Sequence, residues 1–415
     1  MAAPKNKSST TSKYELKSLL DDSEKNVKEL RSNVRPLIQR VPKLLYKTET
    51  NKKKLFIPEV IALGPYHHDN PDLKGMQDYK NLAVKQFVGT NPIHLFMARI
   101  KDVISEARQC YKEDLQMEED EFLRMMFFDG CFILRFIDLF VKNKLDELQM
   151  STNLYGFILK DMFLFENQIP YVVLKALMSV TTVNIDLFIE RMIITGLASK
   201  AAVEVEPIHL LDLFRTKLLG EGEVTTTILP NADWQLFQSV TEMKDIGIEF
   251  KKSESPCLRD IRFSEGYMIH SYLSLPRITI DDSFESRFMN MIAMEMCLDS
   301  KLDHGIQSYI WLLDCLVDRA DDVKELRSAG ILFNGLGSDE QVANLFNEMA
   351  ADLAPDLHEY HDVLIGLTKH KKNKFLVRFY NTHFSSSWTA ISFFAAAFLI
   401  ILTVLQTVFA IFPRT

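Results

Sequence analysis

Several groups of residues have the types that chemistry uses. Ile61 to Lys80 reads IALGPYHHDNPDLKGMQDYK, with His67, His68 and Asp69 directly behind a Gly-Pro turn. Two imidazoles beside a carboxylate suit a metal or a general base. Adjacent residues, however, point apart on either regular element. One metal would take both rings only in a loop, with further ligands from elsewhere. No HExxH, HxH or CxxC spacing supplies them. Asp69-Asn70-Pro71-Asp72 is a turn composition leading into a helix. The expectation is a structural loop, with Tyr66, His67, His68 and Asp69 as a candidate partner-contact loop and no metal.

Cys131, in FFDGCFILRF with Asp129 nearby, is a second candidate. A nucleophilic thiol needs an exposed, electropositive setting that lowers its pKa. Phenylalanines flank this one on a helix expected to be buried, so a core cysteine is the favoured reading. Glu166, Asn167 and Gln168, in FLFENQIPY, interrupt an apolar run just before Pro170. Buried polar groups need partners, so the triplet is expected to be a structural hydrogen-bond hub. NGLG at 334–337 lacks the lysine and spacing of a phosphate loop and reads as a turn between helices. No GxSxG occurs. No residue is assigned a catalytic role and no cofactor is expected.

The elements that must position these residues are mostly helices. The stretches 91–114, 120–145, 154–180, 184–198 and 207–219 place apolar residues at helical spacing, and 120–145 is apolar nearly all round. Pro170 is expected to kink or restart its helix, and Pro207 to sit in a first turn. Residues 54–66 alternate poorly and hold two prolines, which predicts a buried irregular segment. Residues 248–282 change period and read as three or four short strands in a small antiparallel β element. Asp282 with Glu285, and Ser338 with Gln341, have capping-box spacing. The fold class is therefore mainly α, or α+β: a multi-helix bundle with one small β element.

The 415 residues carry net charge −8, which argues against a broad nucleic-acid-binding face. The charge is uneven. Residues 1–54 hold 14 Lys and Arg against 6 Asp and Glu, a net +8, which leaves −16 for the remainder. Five scattered cysteines argue for reduced thiols and a cytosol-facing body. The first residues contain no apolar run of the kind a cleaved leader needs. Residues 388–412 are 25 residues without a charge. As a helix they span about 37 Å at about 1.5 Å per residue, enough to cross a hydrocarbon layer about 30 Å thick. Just before them, 369–378 holds Lys369, Lys371, Lys372, Lys374 and Arg378 and no acid. Such a flank biases topology towards a cytosolic body and attracts anionic lipid. The expected layout is a disordered polar 1–33, a globular 34–368 with lobes near 34–220 and 231–368, a basic linker 369–387 and a transmembrane helix 388–412.

In order along the chain stand IQRVPKLL, FIPEVIALGPYHHDNPDLKGMQDYK, MFFDGCFILRF, LKDMFLFENQIPYVVL, HLLDLFR, FESRFMNMIAMEMC and YIWLLDCLVDRADDVKELRSAGILFNGLGSDEQVANLFNEM. Together with the C-terminal apolar segment they resemble the plant family called domain of unknown function 247, over roughly residues 36–412. Its hallmark Gly-Pro-Tyr-His-His is Gly64 to His68, and its Glu-Asn-Gln-Ile-Pro block is Glu166 to Pro170. Arg135 stands at a position often acidic in the family, and NTHFSSSW replaces the family's NPW before the membrane segment. The resemblance implies no recognised catalytic residues and, for most members, no assigned activity. It also implies that some grass members lie at self-incompatibility loci as pollen-side recognition determinants.

The expectation is a non-enzymatic, tail-anchored plant membrane protein that binds a protein partner, with the bilayer contacted through 388–412 and the body cytosolic. The rivals are an enzyme using His67, His68 or Cys131, a scaffold at the membrane surface, and an outward-facing body.

Overall fold

The computed structural model describes residues 37–46, 52–193, 206–220, 238–266, 271–297, 302–351, 353–372 and 387–411. The expected disordered 1–33 and the residues 221–230 between the two expected lobes lie outside them.

In chain order, short 3-10 turns lead into α1 (Gln77–Val88), α2 (Ile93–Gln109), α3 (Glu119–Lys142), α4 (Thr152–Asp161), α5 (Tyr171–Met178), α6 (Ile185–Met192) and α7 (Leu210–Leu219). After α8 (Val240–Asp245) come β1 (Ile248–Lys252), β2 (Arg262–Glu265), β3 (Ser271–Leu275) and β4 (Ile278–Ile280). Then follow α9 (Phe284–Glu295), α10 (Gly305–Leu316), α11 (Ala320–Ser328), β5 (Leu332–Asn334), α12 (Asp339–Ala350), α13 (His361–Lys372) and α14 (Ser387–Ile411). The mainly helical class with a small β element is what the periodicities predict.

Described residues within Met1–Gly220, Asp282–Gln307 and Asp352–Asp356 form one compact unit. Those within Glu221–Asp281, Ser308–Ala351 and Leu357–Thr415 form a second. The lobes are therefore not two consecutive stretches. The chain returns to the first unit because α9 has its partners there: Asn290 bonds Phe165, and Ser286 bonds Leu55.

In the first unit, α3 is the central helix, flanked by α1, α2, α5 and α6. Its interior follows from its composition, since Phe122, Met126, Cys131, Phe132, Leu134, Phe136 and Ile137 are fully buried. It stops at Asn143, whose left-handed φ of 54° returns its N–H to the last carbonyls. Gly130 lets α5 come close, because a Cβ there would lie 2.5 Å from Leu177.

Three local expectations need correction. The run 154–180 is two helices, α4 and α5, separated by the non-helical 162–170, so Pro170 restarts a helix. The helix after Pro207 begins only at Leu210, because His209 is the N-cap and accepts the N–H of Asp212 through its ring at 3.1 Å. Asp282 and Glu285 form no capping box. The N-cap is Ser283, without a side-chain cap bond, and Ser286 at the third helical position donates its hydroxyl to Leu55 instead. The Ser338–Gln341 box is present in α12.

In the second unit the sheet has the order β1-β3-β2, with β1 parallel to β3 and β2 antiparallel to it. The expected antiparallel element is thus mixed. Alternation reports a half-buried strand, not its direction, and the 253–261 connection carries β2 to the far side of β3. β4 pairs instead with β5, in parallel; β5 ends at Asn334, so the NGLG turn leads into α12 from a strand and not from a helix. α13 packs on β2, where Gly366 leaves room for Phe263.

Candidate functional site

The irregular segment 55–66 runs through the interior of the first unit. Phe56, Ile61 and Leu63 are buried. Pro58, Pro65 and the lack of alternation keep it out of helix and sheet, so its amides have no ladder to join. Buried backbone polar groups must nevertheless be paired. Side chains from four helices and one turn do this.

Asp161, at the end of α4, accepts the N–H of Glu59 at 2.9 Å, Val60 at 2.8 Å and Ile61 at 2.9 Å. Asn167 accepts from Leu63 at 2.7 Å and donates to the carbonyls of Ile61 at 3.0 Å and Asp161 at 2.9 Å. Asp129 of α3 accepts from Gly64 at 2.8 Å and pairs with Lys80 of α1, which also donates to Ala62 at 2.6 Å. Asn290 and Ser286 of α9 both donate to Leu55, each at 2.9 Å. Gly64 is required at its position. Its φ is +71°, and a Cβ would stand 2.6 Å from the Gln168 carbonyl oxygen.

The other two members of the triplet fasten different segments. Glu166 accepts from the Val41 N–H and from the Arg40 guanidinium, both at 2.8 Å. Gln168 donates to Met162 at 2.7 Å and Leu164 at 2.8 Å, and accepts from Leu211 of α7 at 3.1 Å. All three residues are buried, Asn167 completely.

Tyr66, His67, His68 and Asp69 form a short 3-10 turn and its exit. Tyr66 is half-buried, donates to the Ile38 carbonyl at 3.0 Å, bonds Glu113, and lies 4.4 Å beneath the Arg40 guanidinium. His67 Nε2 is 3.5 Å from Glu166 and has no hydrogen bond. Burial holds its imidazole below the ordinary histidine range, against the pull of Glu166. His68 is half-buried and Asp69 exposed. The fold thus gathers Tyr66, His67, Glu166 and Arg40, and leaves His68 and Asp69 outside that cluster. Among the described residues, no group of three or more His, Cys, Asp or Glu is placed to hold a metal.

Cys131 is fully buried on α3, and burial pushes its thiol up, away from the thiolate a nucleophile needs. Asp161 is pushed up to about 6 by burial, opposed by its three backbone donors. A cavity of about 350 Å³ in the second unit, lined by Val240, Lys244, Glu249, Phe250 and Glu325, contains none of these motif residues, and its Lys244 pairs with Glu325 at 2.5 Å.

At the C-terminal end, α13 continues through Lys372, and His370 is bonded to Ile246 at 2.7 Å and to Ser271 at 3.0 Å. The expected linker from 369 therefore begins as helix, held by these contacts. Lys369 is exposed, Lys371 and Lys372 end the helix, and Lys374 and Arg378 lie outside the described residues. In α14 the stretch Ile391–Val408 is long and apolar enough to cross a membrane, and none of it is buried. A helix of the protein core would be covered.

Residues 38–402 match the model of a family described as plant protein of unknown function, DUF247. The chain belongs to this family. It is 26% identical over 402 residues to the UPF0481 protein At3g47200 of Arabidopsis thaliana, covering 86% of this chain and 83% of that one. It is 20% identical over 478 residues to the putative UPF0481 protein At3g02645 of the same plant, covering 89% of each. No solved structure matches it.

In this DUF247 chain the residues that the motif reading missed are Asp129, Lys80, Asp161 and Asn290. For three of them a signal existed. Asp129, Asp161 and Asn290 are polar side chains in apolar helical stretches, where such a group is tolerated only with a partner; Lys80, in the polar stretch QDYKN, carried no such mark.

Proposed function

We propose that this chain is a non-enzymatic, membrane-anchored binding protein of plants. The observation that carries the reading is how the hallmark residues are used. Glu166, Asn167 and Gln168 bond backbone from distant segments, and Asp129 and Asp161 hold the segment that leads into Gly64-Pro65-Tyr66. Side chains engaged in this way are not free to turn over a substrate. The residues proposed to meet a protein partner are the accessible ones of the adjoining turn, Tyr66 to Asp69. The process proposed is cell–cell recognition or signalling, of which pollen self-incompatibility is one form.

The unburied apolar α14 supports anchoring in a bilayer. The basic residues from Lys369 to Arg378 favour a cytosolic body through the positive-inside bias. Two measurements test the reading. A chain tagged at its N-terminus should stay with membranes through an alkaline wash, and protease added outside intact cells should leave the tag. Release by the wash ends the anchoring reading, and removal of the tag reverses the topology. For binding, His68→Ala with Asp69→Ala should abolish proximity labelling of a reproducible partner in native tissue while leaving the melting temperature unchanged. Unaltered labelling would move the contact elsewhere.

A further inference from the structure

Within α14 one line along the helix carries Ser392, Ala396, Thr403 and Gln406, small or polar side chains, with Leu399 among them. Ser392, Ala396, Leu399, Thr403 and Gln406 are spaced four, three, four and three apart. That averages 3.5 residues, the period of a seam between two helices that wind left-handed about each other. A second line, Ile391, Phe394, Phe398, Ile401, Leu405 and Val408, is entirely bulky, apolar and exposed.

The hydrogen bonds single out one residue on the first line. Thr403 donates to the Leu399 carbonyl at 2.8 Å, and Thr407 to the Thr403 carbonyl at 2.7 Å, so these hydroxyls are satisfied by their own helix. Gln406 is exposed and has no hydrogen-bond partner among the described residues. Counted from the middle of α14 it stands about 10 Å away along the axis, within the half-thickness of about 15 Å of a hydrocarbon layer. An amide there needs a partner that lipid tails cannot supply.

We propose that α14 pairs in parallel with α14 of a second copy of this chain, through the Ser392–Gln406 seam, with the two Gln406 amides bonded to each other. This rests on the membrane anchoring proposed above. A second copy is the occupant that fits. Copies of one chain insert in one orientation at one depth, so Gln406 meets Gln406 without offset. A primary amide carries donors and an acceptor together, and so complements itself. Ala396, ten residues before Gln406 on the same seam, allows the backbones to approach.

The test uses the full-length chain, labelled at its N-terminus with donor or acceptor fluorophore and reconstituted in phosphatidylcholine vesicles. Energy transfer should rise with the protein-to-lipid ratio. Gln406→Leu should raise the apparent dissociation constant roughly three- to tenfold. Ala396→Ile should do likewise, Gln406→Asn should keep most of the association, and Leu405→Ala on the other line should change it less than twofold. Equal transfer in wild type, Gln406→Leu and Ala396→Ile would overturn the seam, since association would then use another surface. A chain that survives an alkaline wash of the vesicles yet shows no transfer above random mixing overturns the pairing alone. A chain released by the wash overturns pairing and anchoring together.

Discussion

Glu166-Asn167-Gln168 and His67-His68-Asp69 look alike as text: three polar residues beside a proline-containing bend. In the fold they differ. The first triplet has apolar neighbours on both sides and is buried, with eight of its hydrogen bonds at 2.7–3.1 Å. The second is followed by turn residues and stays half-open, with His67 Nε2 unpaired. The difference teaches that what surrounds a polar run decides its use. Enclosed by apolar chain, it must bond the backbone that comes with it. Next to a turn, it retains surface for something else.

The largest effect expected from that contrast is at Asp129, the carboxylate behind Gly64. Asp129→Ala leaves Lys80 as a buried charge without its partner and Gly64 without an acceptor, which should cost about 3–5 kcal/mol. Urea unfolding of the detergent-solubilised chain measures it. A loss below about 1 kcal/mol would mean that water replaces the carboxylate, and that this interior is wetter than its burial indicates.

His209, the cap that ties α7 to the triplet, gives a pH dependence. Burial lowers it from an ordinary value of 6.5 to about 4, despite Asp212. A depressed histidine contributes stability that is present above pH 6.5 and is lost as pH falls through 4, in all on the order of 3 kcal/mol. Asp161, raised from 3.8 to about 6, runs the opposite way, its contribution being lost as pH rises through 6. His209→Asn keeps a cap acceptor and removes only the histidine share. The difference between wild-type and variant unfolding free energies should therefore fall steadily from pH 6.5 to 4. Parallel curves would show that His209 is solvated in the folded chain.

Asn167→Ala strips Leu63 N–H and two carbonyls of their partner at once, and should cost about 1–3 kcal/mol. Thermal unfolding decides it, and an unchanged midpoint would reopen the triplet as a ligand surface. The smallest effect belongs to the other member of the comparison. His68→Gln should stay within about 0.5 kcal/mol, as expected of a position away from core and caps. A loss of several kcal/mol would erase the contrast by making the histidine turn as structural as the triplet.

Much of this was legible beforehand. The period of 120–145 predicted α3, and the Ser338–Gln341 spacing predicted the α12 cap, because both signals act over one or two turns of chain. The prolines at 58 and 65 announced an irregular buried segment. Its fastening was not legible, since the bonds from Asp129 to Gly64 and from Asn290 to Leu55 join residues 65 and 235 positions apart. The parallel direction of β1 and the β4–β5 pairing were hidden for the same reason. A strand's alternation is a property of one segment, whereas its partner is chosen elsewhere.

By itself, then, the sequence determined the helical class, the buried irregular strip, the unburied apolar stretch from Ile391 to Val408 and, through its ordered blocks, the family. All of these are carried by local composition and spacing. Only the tertiary structure decided that Asp129, Lys80, Asp161 and Asn290 converge on one segment, that Cys131 is sealed in the core, and that α9 returns to the first unit. Those outcomes depend on which distant groups can satisfy a buried amide or fill the space beside Gly130, and that is settled by packing the whole chain together.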